Sequence, residues 1–92
     1  MYGYGQNKDE LLARLRKVEG QVRGIQRMVD GDQYCIDILT QIAAAGSALK
    51  KVAVALLDDH IRHCVADGRA SATDRETKIA EATAAVDRLL KT

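Results

Sequence analysis

The feature that most constrains this chain is a proline-free run of helix-forming residues. No proline occurs in the 92 residues, and from Asp32 to Ala66 the sequence is rich in alanine, leucine, isoleucine and valine, with one glycine, Gly46, inside the run. Such a run reads as one long helix. Along it Leu49, Val52 or Ala53, Leu56, His60 and Cys64 recur on a single helical face, so the stripe that packs also carries an imidazole and a thiol. His60 and Cys64 are an i, i+4 pair, one turn apart on one side of the helix.

Cys35 lies near the other end of the run. It precedes His60 by 25 residues, which at the rise of a continuous helix is about 37 Å. One chain does not gather all three residues. A second copy packed antiparallel brings the Cys35 end of one helix beside the His60 and Cys64 end of the other, and a twofold axis then makes two equivalent sites. The spacing therefore predicts a metal site between subunits. Two thiolates and one imidazole form a soft, low-coordinate set suited to Cu(I), whereas structural zinc normally takes four ligands. His63 points about 100° around the helix from Cys64 and reads as a solvent-facing bystander or as a fourth ligand. Taken alone, Cys35 also reads as a small buried hydrophobe.

The rest of the chain supplies two more helices. Tyr2, Tyr4 and Tyr34 are the only aromatics, so the core has to come from aliphatic and alanine side chains in closely packed helices. The fold class is all-α and the chain one domain, residues 1–92. Met1 to Asn7 has no helical period and is expected to be a mobile arm. A first helix starts at Asn7 to Asp9 and carries Leu11, Leu15, Val18, Val22, Ile25 and Val29 as a heptad seam. Gly31 ends it and Asp32 is the expected N-cap of the long helix, a connection short enough to make an antiparallel hairpin. After Cys64 the apolar period is lost. Thr73 with Glu76 fits a capping box for a short third helix, with Ile79, Ala82, Val86, Leu89 and Leu90 on one face.

Composition excludes several function classes. No stretch of eighteen apolar residues and no charged segment followed by an apolar one is present, so neither membrane insertion nor secretion is expected and the cytosol is the expected compartment. There the two cysteines are thiols rather than a structural disulfide. Cys35 and His60 imitate a nucleophile and its base, but no phosphate loop or oxyanion motif accompanies them, and no enzyme is expected. The net charge of +1 hides an uneven distribution: Arg14, Arg16, Lys17, Arg23 and Arg27 stand against Glu19 in the first helix, and Lys50 and Lys51 add charge at the middle of the second. Arg16, Arg23 and Arg27 share a face apart from the heptad seam, as a phosphate-binding surface or a solvated helix face would arrange them. No aromatics interleave with these cations, which argues against single-strand binding by base stacking.

Three segments together carry a family resemblance: Asp9 to Met28 with its core Glu19-Gly20-Gln21-Val22-Arg23-Gly24, then Tyr34 to Ile42, then Leu57 to Val65 with its Asp58-Asp59-His60-Ile61-Arg62-His63-Cys64. Over nearly its whole length the chain resembles the copper-sensing repressors of the CsoR family. The resemblance implies a bacterial transcriptional repressor, a three-helix protomer whose two long antiparallel helices form a four-helix-bundle dimer and then a tetramer. It further implies trigonal Cu(I) coordination that releases double-stranded operator DNA and derepresses copper-resistance genes. Cys35, His60 and Cys64 match the family's Cys-His-Cys ligand set. The related nickel and cobalt sensors need a further N-terminal histidine, formaldehyde sensors lack the thiol at Cys64, and persulfide sensors lack the histidine. Arg14 and Lys51 fall at basic positions implicated in DNA binding, joined by Arg16, Lys17, Arg23 and Lys50 on charge alone, while Tyr34 and Glu81 fall at outer-sphere positions around the metal. The competing reading is a copper-buffering or other metal- or thiol-sensing helical bundle that never touches DNA.

Overall fold

A computed structural model describes residues 7–62 and 71–91. It is all-α, with α1 spanning Lys8–Asp30, α2 Cys35–His60 and α3 Ala72–Leu90. Met1 to Gln6 of the expected arm lie outside the described residues, as do His63 and Cys64. The chain divides into two compact units, one formed by Lys8–Val54 and the other by the segments around it.

In the first unit α1 and the greater part of α2 are joined by only four residues. The turn is a Schellman motif: the Asp32 amide donates to the Val29 carbonyl at 3.1 Å and the Gln33 amide to the Met28 carbonyl at 3.0 Å. The residue that takes the left-handed conformation is Asp32, at φ 53°, one position later than the glycine. Gly31 is instead the helix cap, its amide 2.9 Å from the Arg27 carbonyl, where a methyl group would approach that oxygen to 3.2 Å. Asp32 therefore closes α1 rather than capping α2. The first carbonyl of α2 to accept is that of Tyr34, from the amides of Asp37 and Ile38.

The buried core of this unit is Leu11 and Val18 of α1 with Ala45 and Val52 of α2. The predicted α1 seam is thus split. Leu11 and Val18 face inward and Ile25 is half-buried, while Leu15, Val22 and Val29 remain exposed. On α2 a second apolar row, Leu39, Ile42, Leu49 and Leu56, runs beside the buried one and is also exposed. By length and composition α2 could cross a bilayer, more than its sequence suggested. Lys50 and Lys51 at its middle would then sit in hydrocarbon, at a cost that a facing protein helix does not impose.

In the second unit, α3 is capped by Ser71, whose hydroxyl accepts the Asp74 amide at 3.0 Å. The cap falls two residues before the predicted Thr73, whose carbonyl instead accepts the Thr77 hydroxyl inside the helix. Ser-x-x-Asp offers the same chemistry as Thr-x-x-Glu, and the earlier start adds residues to α3. Leu57 and Ile61 with Ile79, Ala82, Thr83 and Val86 line an open trough of about 270 Å³. Of the predicted α3 face, Ala82, Val86 and Leu89 are half-buried and Ile79 and Leu90 are exposed.

The cap geometry makes a stability prediction. At fixed protein concentration, Asp32→Gly should gain about 0.5–1 kcal/mol by relieving a left-handed non-glycine residue, and Asp32→Val should lose more than about 1 kcal/mol. Urea unfolding checks the order, and a glycine variant less stable than the parent would contradict it.

Candidate metal centre and basic helix face

The two described metal-ligand candidates sit at the two ends of one element: Cys35 is the first residue of α2 and His60 its last. Cys35 is an exposed free thiol, placed in the first helical turn where unpaired amides favour negative charge. His60 is half-buried, and its Nε2 lies 3.4 Å from the Lys78 carbonyl of α3. A carbonyl only accepts, so in this contact Nε2–H is the donor, and in the neutral ring Nδ1 is then the nitrogen with a lone pair. After His60 the chain continues as a π-helical turn at residues 61–62, a local widening that recurs at functional sites. Among the described residues no three His, Cys, Asp or Glu side chains converge to hold a metal.

The outer-sphere candidates are placed differently from each other. Tyr34 is exposed directly before Cys35. Glu81 turns its carboxylate to the Lys78 ammonium at 3.8 Å, the residue whose carbonyl faces His60. Two residues that the sequence did not single out also belong to this region. Asp59 is a buried carboxylate beside His60, and Asn7 donates its side-chain amide to both Asp59 oxygens, at 2.9 and 3.1 Å. Their separation in the chain leaves no spacing pattern by which they could have been found.

The basic candidates Arg14, Arg16, Lys17, Arg23, Lys50 and Lys51 are all exposed. Arg14 pairs with Glu10 at 2.8 Å and Arg23 pairs with Glu19, both at the i, i+4 spacing that the sequence displays. Arg16, Lys17, Lys50 and Lys51 have no ion-pair partner among the described residues. Exposed pairs of this kind contribute about 0.3–0.5 kcal/mol, little enough for a phosphate to displace the carboxylate. Helix register places Arg16, Arg23 and Arg27 in one row and Arg14 and Lys17 in a second. Ala13, Gly20 and Gly24 lie between the rows, and a methyl group on Gly20 would meet nothing within 4 Å.

Residues 7–88 match the profile of the family described as metal-sensitive transcriptional repressor. The chain belongs to this family. Its members are regulators of transcription, and the repressor described here is accordingly not an enzyme. It is 54% identical to the copper-sensing transcriptional repressor RicR of Mycobacterium tuberculosis, over 98% of this chain and 95% of that one. The crystal structure of the copper-sensing repressor CsoR with Cu(I) from Geobacillus thermodenitrificans superimposes with a TM-score of 0.83 at 37% identity, covering 94% of this chain and 88% of that one. A variant of the formaldehyde-responsive regulator FrmR from Salmonella enterica serovar Typhimurium superimposes equally well, TM-score 0.83, at 25% identity over 92% and 96% of the two chains. The fold is thus common to regulators named for different effectors, and by itself does not identify the effector.

For a repressor with this basic surface the unpaired and paired cations separate experimentally. Arg16→Ala or Lys51→Ala should lower the salt slope of log K for duplex DNA by about 0.9 for every phosphate that each bound copy no longer neutralises. Arg23→Ala should do the same with a smaller loss of affinity, because Glu19 already competes for it. Fluorescence anisotropy across a salt series reads both quantities, and unchanged slopes would make this face an ordinary solvated surface.

Proposed function

We propose that this chain is a copper(I)-responsive transcriptional repressor that holds operator DNA when metal-free and releases it when Cu(I) binds, derepressing copper-resistance genes in the cytosol. The observation that carries the reading is the disposition of donors on α2. An exposed thiol opens the helix and a half-buried imidazole, its Nε2 facing the Lys78 carbonyl, closes it, in a member of a metal-sensitive repressor family. The copper-sensing relatives RicR and CsoR support copper over other effectors.

The donors fit the metal chemically. Bound Cu(I) supplies a soft cation that favours two thiolates and an imidazole at low coordination number. Cys35 of one protomer, with His60 and Cys64 of a second, would hold it. Cys64 enters on its i, i+4 spacing from His60. The length of α2 supports an intersubunit site, since the helical rise between its first and last residues is about 37 Å. Its exposed row of Leu39, Ile42, Leu49 and Leu56 supplies a seam on which an antiparallel partner helix would pack, giving a dimer and, by pairing of dimers, a tetramer. Residues 1–92 act as a single sensing and DNA-binding domain. Arg14, Arg16, Lys17, Arg23, Lys50 and Lys51 would meet phosphates, which position the duplex without reading its sequence. Tyr34 and Glu81 would flank the ligands, Glu81 through Lys78, where they can respond to the orientation of His60. By linkage, copper weakens DNA binding by the same factor that DNA weakens copper binding.

Anaerobic Cu(I) titration of the protein on operator duplexes, selected from random DNA by the metal-free protein, tests the proposal. Release at one Cu(I) per protomer is expected, and a copper buffer would bind the metal but select no DNA. The shared site has its own test in mixed dimers of Cys35→Ala and Cys64→Ala chains. Each variant alone should lose tight copper binding, and the mixture should regain one intact site per heterodimer. No recovery on mixing would place the ligands within one chain.

A further inference from the structure

The buried positions of α2 step along the helix by sevens, Ala45, Val52 and then Asp59. Two apolar residues are followed by a carboxylate that is 5% exposed, and it directly precedes His60. A third apolar side chain at this position would pack without needing a partner, whereas a buried carboxylate has to be hydrogen-bonded. Its partner is Asn7, whose Nδ2 reaches both oxygens at 2.9 and 3.1 Å across 52 residues of sequence. Among the described residues this is the one hydrogen-bonded pair of side chains that are not helical neighbours. The following residue, His60, is held from another side by the Lys78 carbonyl of α3 at 3.4 Å. The last turn of α2 is therefore clasped between α3 and the residue that leads into α1, since Asn7 is joined to Lys8 by a single peptide bond.

We infer that Asn7 and Asp59 are positioning residues: their hydrogen bond sets the turn that presents His60 and ties it to the start of α1, the helix that carries the arginine rows. The inference rests on the copper-repressor reading above and adds a mechanical link between the ligand and the DNA-binding helix. On this reading neither residue is itself a metal ligand or a phosphate contact. A change in the orientation of His60 pulls on Asp59, and Asp59 acts on α1 through Asn7. Without the bond, ligand and helix titrate independently.

Three variants test the link. Asn7→Ala removes the donor. The exchange Asn7→Asp with Asp59→Asn rebuilds an amide–carboxylate bond with the roles reversed. Asn7→Ala with Asp59→Val replaces the pair by apolar groups, which restores packing without the bond, a substitution that is nearly neutral for stability in general. Two quantities are read: amide hydrogen exchange in the metal-free protein at Asp59 to Ile61 and at Leu11 to Ala13, the first amides of α1 with an i−4 carbonyl at or after Asn7, and the ratio of DNA dissociation constants with and without one equivalent of Cu(I). Asn7→Ala should speed exchange at both segments by about tenfold and reduce the copper-dependent ratio by about tenfold, the scale of one hydrogen bond to a charged group. Copper stoichiometry should stay unchanged. The exchanged pair should recover both quantities, and the apolar pair should recover the melting temperature but not the ratio. A wild-type ratio in Asn7→Ala, or its recovery in the apolar pair, would overturn the inference while leaving the repressor reading intact. Failure of the parent protein itself to release DNA on copper would overturn both.

Discussion

The structure depends on α2 being one uninterrupted helix with two apolar rows. Ala45 and Val52 belong to the row that is buried with Leu11 and Val18 of α1, and Leu39, Ile42, Leu49 and Leu56 to the row left exposed. A helix of this kind satisfies its backbone internally but not its side chains, and apolar surface of that extent marks an interaction site in a protein whose own core is small. The same continuity keeps the thiol at its first residue away from the imidazole at its last. On the proposed reading metal binding and self-association are one requirement, because the exposed row lies between the two candidate donors.

Around that helix the polar residues separate into two kinds. The exposed arginines and lysines of α1 and mid-α2 are either unpaired among the described residues or paired with a carboxylate one turn away, arrangements weak enough to yield to a polyanion. The polar contacts at the end of α2 join residues far apart in sequence, Asn7 with Asp59 and His60 with the Lys78 carbonyl. A local ion pair rearranges without consequence elsewhere. A long-range hydrogen bond to a buried carboxylate does not, because breaking it leaves a desolvated charge behind.

The superpositions on copper- and formaldehyde-responsive regulators make a related point about this scaffold. One three-helix fold is carried by regulators named for different effectors, so the fold by itself does not identify the effector. The proposal of copper rests on the thiol and the imidazole at the two ends of α2 and on the copper-sensing relatives.

Much of this was legible in the sequence because it depends on local periodicity. The three helices and the short connection between α1 and α2 follow from residue spacing, which a helix converts directly into shared faces. Which apolar positions are buried did not follow: Leu15, Val22 and Val29 of the α1 seam and Leu49 and Leu56 of the α2 stripe are exposed, while Leu11, Val18 and Val52 are buried. Helix ends were legible only as chemistry. The stop at Gly31 holds, since α1 runs to Asp30 and Gly31 caps it, but Asp32 takes the left-handed position instead of capping α2, and Ser71 rather than Thr73 caps α3. Asp59 and Asn7 were not legible at all. An acidic residue near a helix end looks solvent-exposed in sequence, and only the tertiary structure, by burying the face that begins with Ala45 and Val52 and bringing Asn7 beside it, turned that carboxylate into a partnered, long-range contact.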